Sequence, residues 1–256
     1  LTMCCLFGMI DYKHTLSRHQ KTRIIRTLAE LSEERGTDAA GIAYNSGGTL
    51  RIDKHPGAAH TLNFKVPRDS SVVMGHTRMT TQGSALKTQN NHPFAGNAQG
   101  MPFALAHNGT LYNDRLLRKT LKLPNTNIET DSYVAVQLIE QAKALNFSSL
   151  RYMAEEVEGS FCFTVLDRKN NLYIVKGDNP FCLVHYPEKG LYLYASTERI
   201  LGKALLLLNL PGTPELVELS CGDMLRIDSH GRQKSERFSV EHFLFSWASY
   251  FQPKMV

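Results

Sequence analysis

Residues 160–195 read SFCFTVLDRKNNLYIVKGDNPFCLVHYPEKGLYLYA, in which four apolar runs alternate with three short polar segments. The apolar runs are rich in Phe, Tyr, Val, Ile and Leu, which favour strands. The polar segments are rich in Asn, Asp, Gly, Pro and Lys, which is typical of turns. Strands joined by such short turns pair antiparallel, because parallel neighbours need crossovers of a dozen or more residues. The region therefore predicts antiparallel strands at 160–167, 172–176, 181–185 and 191–195.

The flanking sequence predicts further strands and several helices. Helices are expected at 17–35, 112–121, from about residue 131 onward, and at 148–156, with Thr130 as the N-cap of the third. A hairpin is expected at 41–44 and 49–53 across the turn 45–48, with other strands at 71–76, 103–107 and 223–228. Residues 79–101 are rich in Thr, Gln, Asn and Gly and predict a long irregular loop. Helices beside antiparallel strands, with no clear linker, predict one α+β domain.

Composition and charge exclude several classes of protein. The 256 residues are 42% hydrophobic and 21% charged, with a net charge of +5, as in a globular domain rather than a disordered or fibrous one. The leucine-rich run 204–208 is too short for a membrane span, and residues 1–5 do not resemble a signal peptide. Basic residues at 18–26 alternate with apolar ones, as on a solvated helix face. We therefore expect neither a membrane nor a nucleic-acid partner.

The cysteines indicate a reducing, cytoplasmic setting. Their number is odd, five, and no C-x-x-C spacing occurs, so neither a disulfide framework nor a thiolate zinc site is expected. Cys162 and Cys182 lie in predicted strands and are expected to be buried core thiols.

Six short polar blocks have no packing explanation and mark the candidate site. They are 3–8 (MCCLFG), 35–41 (RGTDAAG), 75–83 (GHTRMTTQG), 91–94 (NHPF), 107–110 (HNGT) and 129–132 (ETDS). In this order, and followed by ASTER at 195–199, they resemble the class II glutamine amidotransferase domain of the N-terminal-nucleophile hydrolase superfamily. The pattern is similar to the glutaminase halves of glucosamine-6-phosphate synthase and amidophosphoribosyltransferase. It covers Cys4 to Arg199 and is expected to extend to the strand at 223–228.

The resemblance implies a fold and a reaction. The fold is a four-layer αββα sandwich with two antiparallel sheets. The reaction is hydrolysis of the side-chain amide of L-glutamine to glutamate and ammonia, through a γ-glutamyl thioester on Cys4. It implies no cofactor and no metal, and His76, His92 and His107 lack a metal-like spacing. The ammonia would either be released as a product of simple hydrolysis or pass to an acceptor synthase subunit.

The chemistry of an N-terminal cysteine supports this implied role. A thiol with a pKa of about 8.5 is only a few per cent ionised at neutral pH. The α-amine of the same residue titrates at about 7.7–8.0 and can accept the thiol proton, so no separate histidine is needed. The rival interpretation is a Cys/His hydrolase that uses His76, His92 or His107 as base; no sequence feature selects one of them.

The resemblance assigns the remaining site residues, each with a structural alternative. Asn108 and the Gly109 N–H would form the oxyanion hole, whereas an Asn-Gly pair is also typical of a hairpin turn. Arg78 would bind the α-carboxylate of glutamine, or make a surface ion pair. Asp131 would bind the α-ammonium group, or cap a helix. Thr81 and His92 match pocket positions, and His92 could equally be a loop residue held by Pro93. The polar residues Arg35, Gly36 and Asp38 are expected to support the nucleophile.

Three departures from the family pattern concern the nucleophile and its surroundings. Cys4 is preceded by Leu1-Thr2-Met3, which must be absent from the active form, through a start at Met3 or removal of a propeptide. Cys5 stands where the family has glycine, and the register of Phe7-Gly8 selects Cys4 as nucleophile. Met79 replaces an aromatic residue. The domain is therefore expected to span residues 4–256.

Three alternatives remain open at the level of function and partners. The aromatic tail at 238–256 completes the core or forms a docking surface for an ammonia-accepting or twin subunit, which would make a homo-oligomer. The substrate is glutamine or another γ-glutamyl compound with the same head group. A non-catalytic glutamine-sensing subunit is the third interpretation, and it gains weight if the mature chain begins at Leu1.

Overall fold

Two antiparallel sheets stacked face to face form the centre of the fold, which the computed structural model describes over residues 4–241. Sheet A contains β1 (Cys5–Asp11), β2 (Ala39–Ser46), β3 (Thr49–Pro56), β4 (Val72–Arg78), β9 (Cys182–Tyr186), β10 (Leu191–Ala195) and β11 (Glu215–Val217). Sheet B contains β5 (Phe94–Ala98), β6 (Met101–Leu111), β7 (Gly159–Asp167), β8 (Leu172–Lys176), β12 (Asp223–Ile227) and β13 (Gln233–Arg237). Their strand orders are β11-β9-β10-β1-β4-β2-β3 and β13-β12-β8-β7-β6-β5.

Five helices cover the outer faces of the two sheets within the described chain. The helices α1 (Arg18–Ser32) and α5 (Glu198–Leu208) pack on sheet A, and α2 (Asp114–Thr120), α3 (Tyr133–Gln141) and α4 (Phe147–Glu156) pack on sheet B. The order of layers is therefore helix, sheet, sheet, helix. No helix in residues 4–241 combines the length and apolar character needed to cross a bilayer.

The central strand β1 is buried on both faces, and its alternation distributes side chains between two cores. Phe7 and Met9 pack with α1 in the outer core of sheet A, whereas Leu6 and Ile10 point into the core between the sheets. Each fully buried side chain of this size contributes about 1.5–3 kcal/mol of transfer free energy. The strand that follows Cys4 is thus held firmly in the middle of the molecule.

Local sequence explains where α1 begins and which face it buries. Ser17 and Gln20 form a reciprocal capping box, which satisfies two backbone N–H groups at the helix start. Ile24, Ile25 and Leu28 recur at helical spacing and are buried against sheet A.

The structure confirms most of the predicted elements. The hairpin forms as β2 and β3, the four strands of 160–195 form as β7, β8, β9 and β10, and the four predicted helices form as α1 to α4. The strand predicted at 223–228 is β12. All five cysteines are free, and Cys162 and Cys182 are buried, as expected.

Two local predictions are wrong, the irregular loop at 94–98 and the Thr130 cap, and the hairpin-turn alternative for Asn108-Gly109 does not occur. Residues 94–98 lie in the predicted loop but form β5, because pairing with β6 satisfies the backbone of this polar segment. Asn108-Gly109 is no hairpin turn, since β6 continues through both residues and pairs with β7 up to Leu111. Thr130 does not cap α3; Ser132 occupies the N-cap position, and the Thr130 hydroxyl has no partner.

The structure describes residues 238–241 of the predicted aromatic tail. Phe238 is buried and its ring centroid lies 5.8 Å from that of Phe161, in the core under the helices of sheet B. Residues 242–256, like Leu1-Thr2-Met3, lie outside the described residues.

Candidate active site

Cys4 lies at the entry to β1 and touches the end of the neighbouring strand β4. Its Sγ is 3.4 Å from both the N and the O of Met79, and the residue is only 9% exposed. Burial raises the pKa of the thiol to about 11, while the backbone of Met79 and the charge of Arg78 lower it and Asp131 raises it. The electrostatic neighbours of this thiol are therefore the two charged residues expected to bind the substrate head group.

Cys5 occupies a different environment from Cys4. It is fully buried in the outer core with Phe7 and Met9, beneath α1, and burial raises the pKa of its thiol. Successive residues of a strand face opposite ways, so only one of the two cysteines can face the site. The thiol of Cys4 is the one that contacts Met79, directly after Arg78, and the choice of Cys4 as nucleophile stays a prediction.

The 35–38 loop packs directly behind the nucleophile. Arg35 donates from Nε to the carbonyl oxygen of Cys4 at 3.0 Å. A Cβ on Gly36 would overlap the backbone of Arg78 and Met79, so only glycine permits this close approach. The N–H of Asp38 donates to the Arg78 carbonyl at 3.0 Å. These contacts fit the supporting role expected for the loop.

Arg78 ends β4 with its guanidinium group buried and bonded within the protein. Nη1 donates to Oδ1 of Asn91 at 2.7 Å, and Nη2 donates to the carbonyls of Gln82 at 2.6 Å and Gly83 at 2.9 Å. The residue is 3% exposed, and within residues 4–241 its side chain forms no salt bridge with an acid. The alternative of a surface ion pair is therefore wrong.

The segment 79–93, called here the loop side of the site, is held by Glu129. The Glu129 carboxylate pairs with Lys87 and accepts from Nδ2 of Asn90 at 2.8 Å, and the Glu129 carbonyl accepts from Nε2 of Gln82 at 2.9 Å. Thr81 lies exposed on this loop, and its side chain makes no hydrogen bond in the described chain.

Asp131 lies on the far side of the site, directly before α3. Its Oδ2 accepts the N–H of Leu111 at 2.6 Å, and Ser132 donates weakly to Oδ1 at 3.4 Å. Ser132 also pairs with Nδ1 of His107 at 2.8 Å. Burial lowers the pKa of His107, and the charge of Asp131 opposes this shift. His107 is thus a packed neutral support rather than a free base.

Asn108 and Gly109 lie on β6, opposite the start of β1. Asn108 shares its face of the strand with Ala104 and Ala106, which point toward sheet A. It is fully buried, with Oδ1 unpaired and Nδ2 3.3 Å from the hydroxyl of Ser196. Gly109 has a φ of +148°, and a Cβ there would overlap the carbonyl oxygen of Ser160. Only glycine fits this position, because the missing Cβ allows the backbone of β6 to approach Ser160 closely.

The buried rings of His76, on β4, and His92, near the end of the loop side, lie against each other with centroids 4.1 Å apart and planes tilted by 31°. Burial lowers the pKa of His76 to about 3 and that of His92 well below its ordinary value. His76 bonds through Nε2 to the His107 carbonyl at 2.9 Å, whereas both ring nitrogens of His92 are unpaired. Within residues 4–241, no histidine ring hydrogen-bonds to the Cys4 thiol, so the geometry does not favour the Cys/His alternative.

Three polar residues contribute to the site without having been assigned a role from sequence. Asn91 accepts from Arg78, Ser196 contacts Asn108, and Asn179 donates from Nδ2 to the Asn108 carbonyl at 2.8 Å. Asn91 lies in the polar block 91–94 and Ser196 in the ASTER segment 195–199, but Asn179 lies in a segment that predicts only a turn. Among residues 4–241, no cluster of three His, Cys, Asp or Glu side chains could hold a metal ion.

Two antiparallel sheets between helix layers form the fold of the N-terminal-nucleophile hydrolases. A family model described as a glutamine amidotransferase domain matches residues 76–203. The chain belongs to this family, the class II glutamine amidotransferase domains.

Similar proteins agree with this assignment. Glutamine–fructose-6-phosphate aminotransferase (isomerizing) of Halalkalibacterium halodurans is 31% identical over 200 residues, which cover 76% of this chain and 32% of the relative. The enzyme of the same name from Bacteroides thetaiotaomicron is 30% identical over 257 residues, which cover 87% and 40%. The chain thus spans about a third of the length of the curated relatives it matches.

A solved structure shows the same fold. Glutamine phosphoribosylpyrophosphate amidotransferase from B. subtilis, complexed with ADP and GMP, superposes with a TM-score of 0.71 at 23% identity. The match covers 93% of this chain and 50% of that chain. The expected four-layer αββα fold is therefore confirmed.

Proposed function

We propose that this chain hydrolyses the side-chain amide of L-glutamine at Cys4 and that the ammonia passes to a separate acceptor domain or subunit. The observation that carries the proposal is the buried Cys4 thiol 3.4 Å from the backbone of Met79, the residue after Arg78, where the charges of Arg78 and Asp131 also act on it; these two charges would recognise an amino-acid head group. The names of the relatives, glutamine–fructose-6-phosphate aminotransferases, support the use of glutamine. The chain spans only part of their length.

Activation of the thiol is the first requirement of this mechanism. With its pKa near 11, very little of the Cys4 thiol is ionised at neutral pH. An α-amine with an ordinary pKa of about 7.7–8.0 is partly unprotonated there and lies on the same residue. The active form would therefore begin at Cys4, with its amine free. The proton moves from sulfur to this amine as sulfur bonds to the amide carbon of glutamine.

The tetrahedral intermediate would carry its negative charge between Asn108 and Gly109. The buried carboxamide of Asn108 and the N–H of Gly109 are the donors assigned to this oxyanion. When the intermediate collapses, the carbon–nitrogen bond breaks and the amine returns its proton to the departing nitrogen, so ammonia leaves. Water, deprotonated by the same amine, then attacks the thioester and releases glutamate and the thiol.

The head group would be held by one cation and one anion. Arg78 is oriented by its bonds to Asn91, Gln82 and Gly83, and one of its remaining N–H groups, on Nη1 or Nε, would donate to the α-carboxylate. Asp131 uses Oδ2 for the Leu111 N–H, while Oδ1 accepts only the weak bond from Ser132 and can also accept from the α-ammonium group. Thr81 and His92 remain predicted substrate-binding residues. Thr81 is exposed on the loop side, and His92 is buried near the end of the same segment.

The adjacent cysteines provide a matched test of the nucleophile. Glutamate release from glutamine is expected to disappear in Cys4→Ala and to stay within about fivefold of wild type in Cys5→Ala, because Cys5 faces the outer core. Protein beginning at Cys4 and protein retaining Leu1-Thr2-Met3, each verified by intact mass, are assayed side by side. Turnover by the longer form, or by Cys4→Ala, would refute the proposed chemistry.

A γ-glutamyl compound other than glutamine is the second candidate substrate. In the proposed binding mode Arg78 and Asp131 hold the α-carboxylate and α-ammonium groups, which glutamine shares with other γ-glutamyl compounds. Comparing kcat/KM for glutamine with that for γ-glutamyl amides and peptides decides between the two, since the true substrate has the larger value.

A further inference from the structure

The hydroxyl of Ser196 joins the strand that carries the nucleophile to the asparagine of the oxyanion site. Ser196 follows β10 directly and is fully buried. Its Oγ accepts the N–H of Leu6 at 2.8 Å, and Nδ2 of Asn108 lies 3.3 Å away. Leu6 is two residues after Cys4 on sheet A, whereas Asn108 belongs to sheet B. One hydroxyl therefore connects the two sheets at the site.

Strand pairing explains why a side chain takes this position. The ladder between β1 and β10 runs from Asp11↔Leu191 to Phe7↔Ala195 and ends there. The next N–H along β1, that of Leu6, bonds to the serine hydroxyl instead of a backbone carbonyl. A buried N–H without a partner costs about 1–3 kcal/mol, so this bond also secures the strand entry.

Asn108 depends on this contact for the orientation of its side chain. Its backbone carbonyl is held by Asn179, but the Ser196 hydroxyl is the partner of its carboxamide in the described chain, and Oδ1 has none. An unrestrained carboxamide can rotate about its last torsion, where the preference is broad. An oxyanion donor contributes only when it points at the position where the charge develops.

We propose that Ser196 is a positioning residue for glutamine hydrolysis: its hydroxyl orients the Asn108 carboxamide relative to the strand that carries Cys4. This inference rests on the proposed function and deepens it, because it names the group that aligns an oxyanion donor with the nucleophile. Ser196 does not touch the substrate. It acts through Asn108, and its removal lowers kcat while KM for glutamine stays nearly constant.

A double-mutant cycle with Asn108→Ala tests the proposal. Ser196→Ala is expected to lower kcat roughly 10- to 100-fold, and Asn108→Ala about 10²–10³-fold. If Ser196 acts through Asn108, the double variant is no slower than Asn108→Ala within about threefold. Losses that multiply, or an unchanged kcat in Ser196→Ala, would overturn the proposal.

Two further variants separate positioning from a general loss of structure. Ser196→Thr keeps the hydroxyl, and its kcat is expected to stay within about threefold of wild type; a threonine variant as slow as Ser196→Ala contradicts the proposal. Ser70→Ala removes another buried serine hydroxyl, one with no hydrogen-bond partner, and is expected to leave kcat unchanged. Melting temperatures are measured for all variants.

The wild-type protein beginning at Cys4 is assayed in the same experiment. Absence of glutamate release from this protein refutes the proposed function itself. Normal release from both wild type and Ser196→Ala refutes only the role of Ser196, so the two failures are distinguishable.

Discussion

The two sides of the site are held by different kinds of interaction. The loop side, residues 79–93, depends on Glu129 and Lys87, whose side chains are 40% and 52% exposed. The opposite side, called here the sheet side, consists of Asn108 and Gly109 on β6 together with Asn179 and Ser196, which follow β8 and β10; Asn108, Asn179 and Ser196 are buried. Exposed ion pairs contribute little and are weakened by salt, whereas buried strands in a packed core do not adjust easily.

This difference assigns separate tasks to the two sides. The loop side presents Arg78, which would bind the substrate head group, so changes there are expected to alter KM. The sheet side presents the oxyanion donors, so changes there are expected to alter kcat or the fold. Variants whose measured KM, kcat and stability follow this division would support it, and variants that do not follow it would contradict it.

The largest effect is expected from Gly109→Ala on the sheet side. The new Cβ would overlap the Ser160 carbonyl oxygen at a φ of +148°, so β6 and β7 must separate locally. We expect a loss of roughly 2–6 kcal/mol in the free energy of unfolding, measured by urea denaturation, and no detectable glutamate release. Gly202→Ala is the control, because a Cβ there meets nothing within 4 Å and an alanine is preferred in a helix. A Gly109→Ala protein with normal stability and turnover would contradict the sheet-side assignment.

A smaller effect is expected from Arg78→Lys at the boundary of the loop side. Lysine cannot fork two parallel hydrogen bonds onto a carboxylate or reproduce the bonds to Asn91, Gln82 and Gly83. A loss of about 2–3 kcal/mol in binding corresponds to a KM for glutamine raised roughly 30- to 100-fold, with kcat within about threefold. Steady-state kinetics separate the two constants. Arg199→Lys, at an arginine that is 71% exposed, should change neither. A fall in kcat at constant KM would place Arg78 in the chemical step instead.

The smallest effect is expected from Glu129→Gln, which weakens the exposed ion pair of the loop side. Hydrogen bonds from Lys87 and Asn90 hold the pKa of Glu129 below its ordinary value of 4.5. Its contribution is therefore complete above about pH 4.5 and is lost as the pH falls through the lower pKa of the folded state. We expect amide hydrogen exchange at 82–90 to be about threefold faster in the variant than in wild type at pH 7, and equal at low pH. Glu188→Gln, at an exposed site elsewhere, is the control. A difference that grows as the pH falls would have the wrong sign.

Much of the fold followed from local patterns in the sequence. Alternating apolar residues and turn formers predicted β7 to β10 closely, since each strand is bounded by residues that end it. The strand β1 and the helix α5 were not predicted as elements. Their apolar runs carry little periodic contrast, because β1 is buried on both faces and α5 exposes Leu206 and Leu207.

The site was predicted less completely than the fold. The motif blocks named Cys4, Arg78, Asn108, Gly109 and Asp131. In the structure the charges of Arg78 and Asp131 act on the Cys4 thiol, and Ser196 links Asn108 to β1, the strand after Cys4; the roles of these residues stay predictions. Ser196 and Asn179 acquired their roles only when β10 and the turn after β8 met β6. Neither serine after a strand nor asparagine in a turn carries a local signal of function.

The amino-acid order alone determined the antiparallel architecture, the outer helices and the family, because strand alternation, turn chemistry and ordered motifs are local properties of the chain. Tertiary structure decided which of two adjacent cysteines faces Arg78 and Asp131, and which hydroxyl faces Asn108. Those outcomes depend on contacts between strands that are far apart in sequence, and burial then raises the pKa of both cysteine thiols.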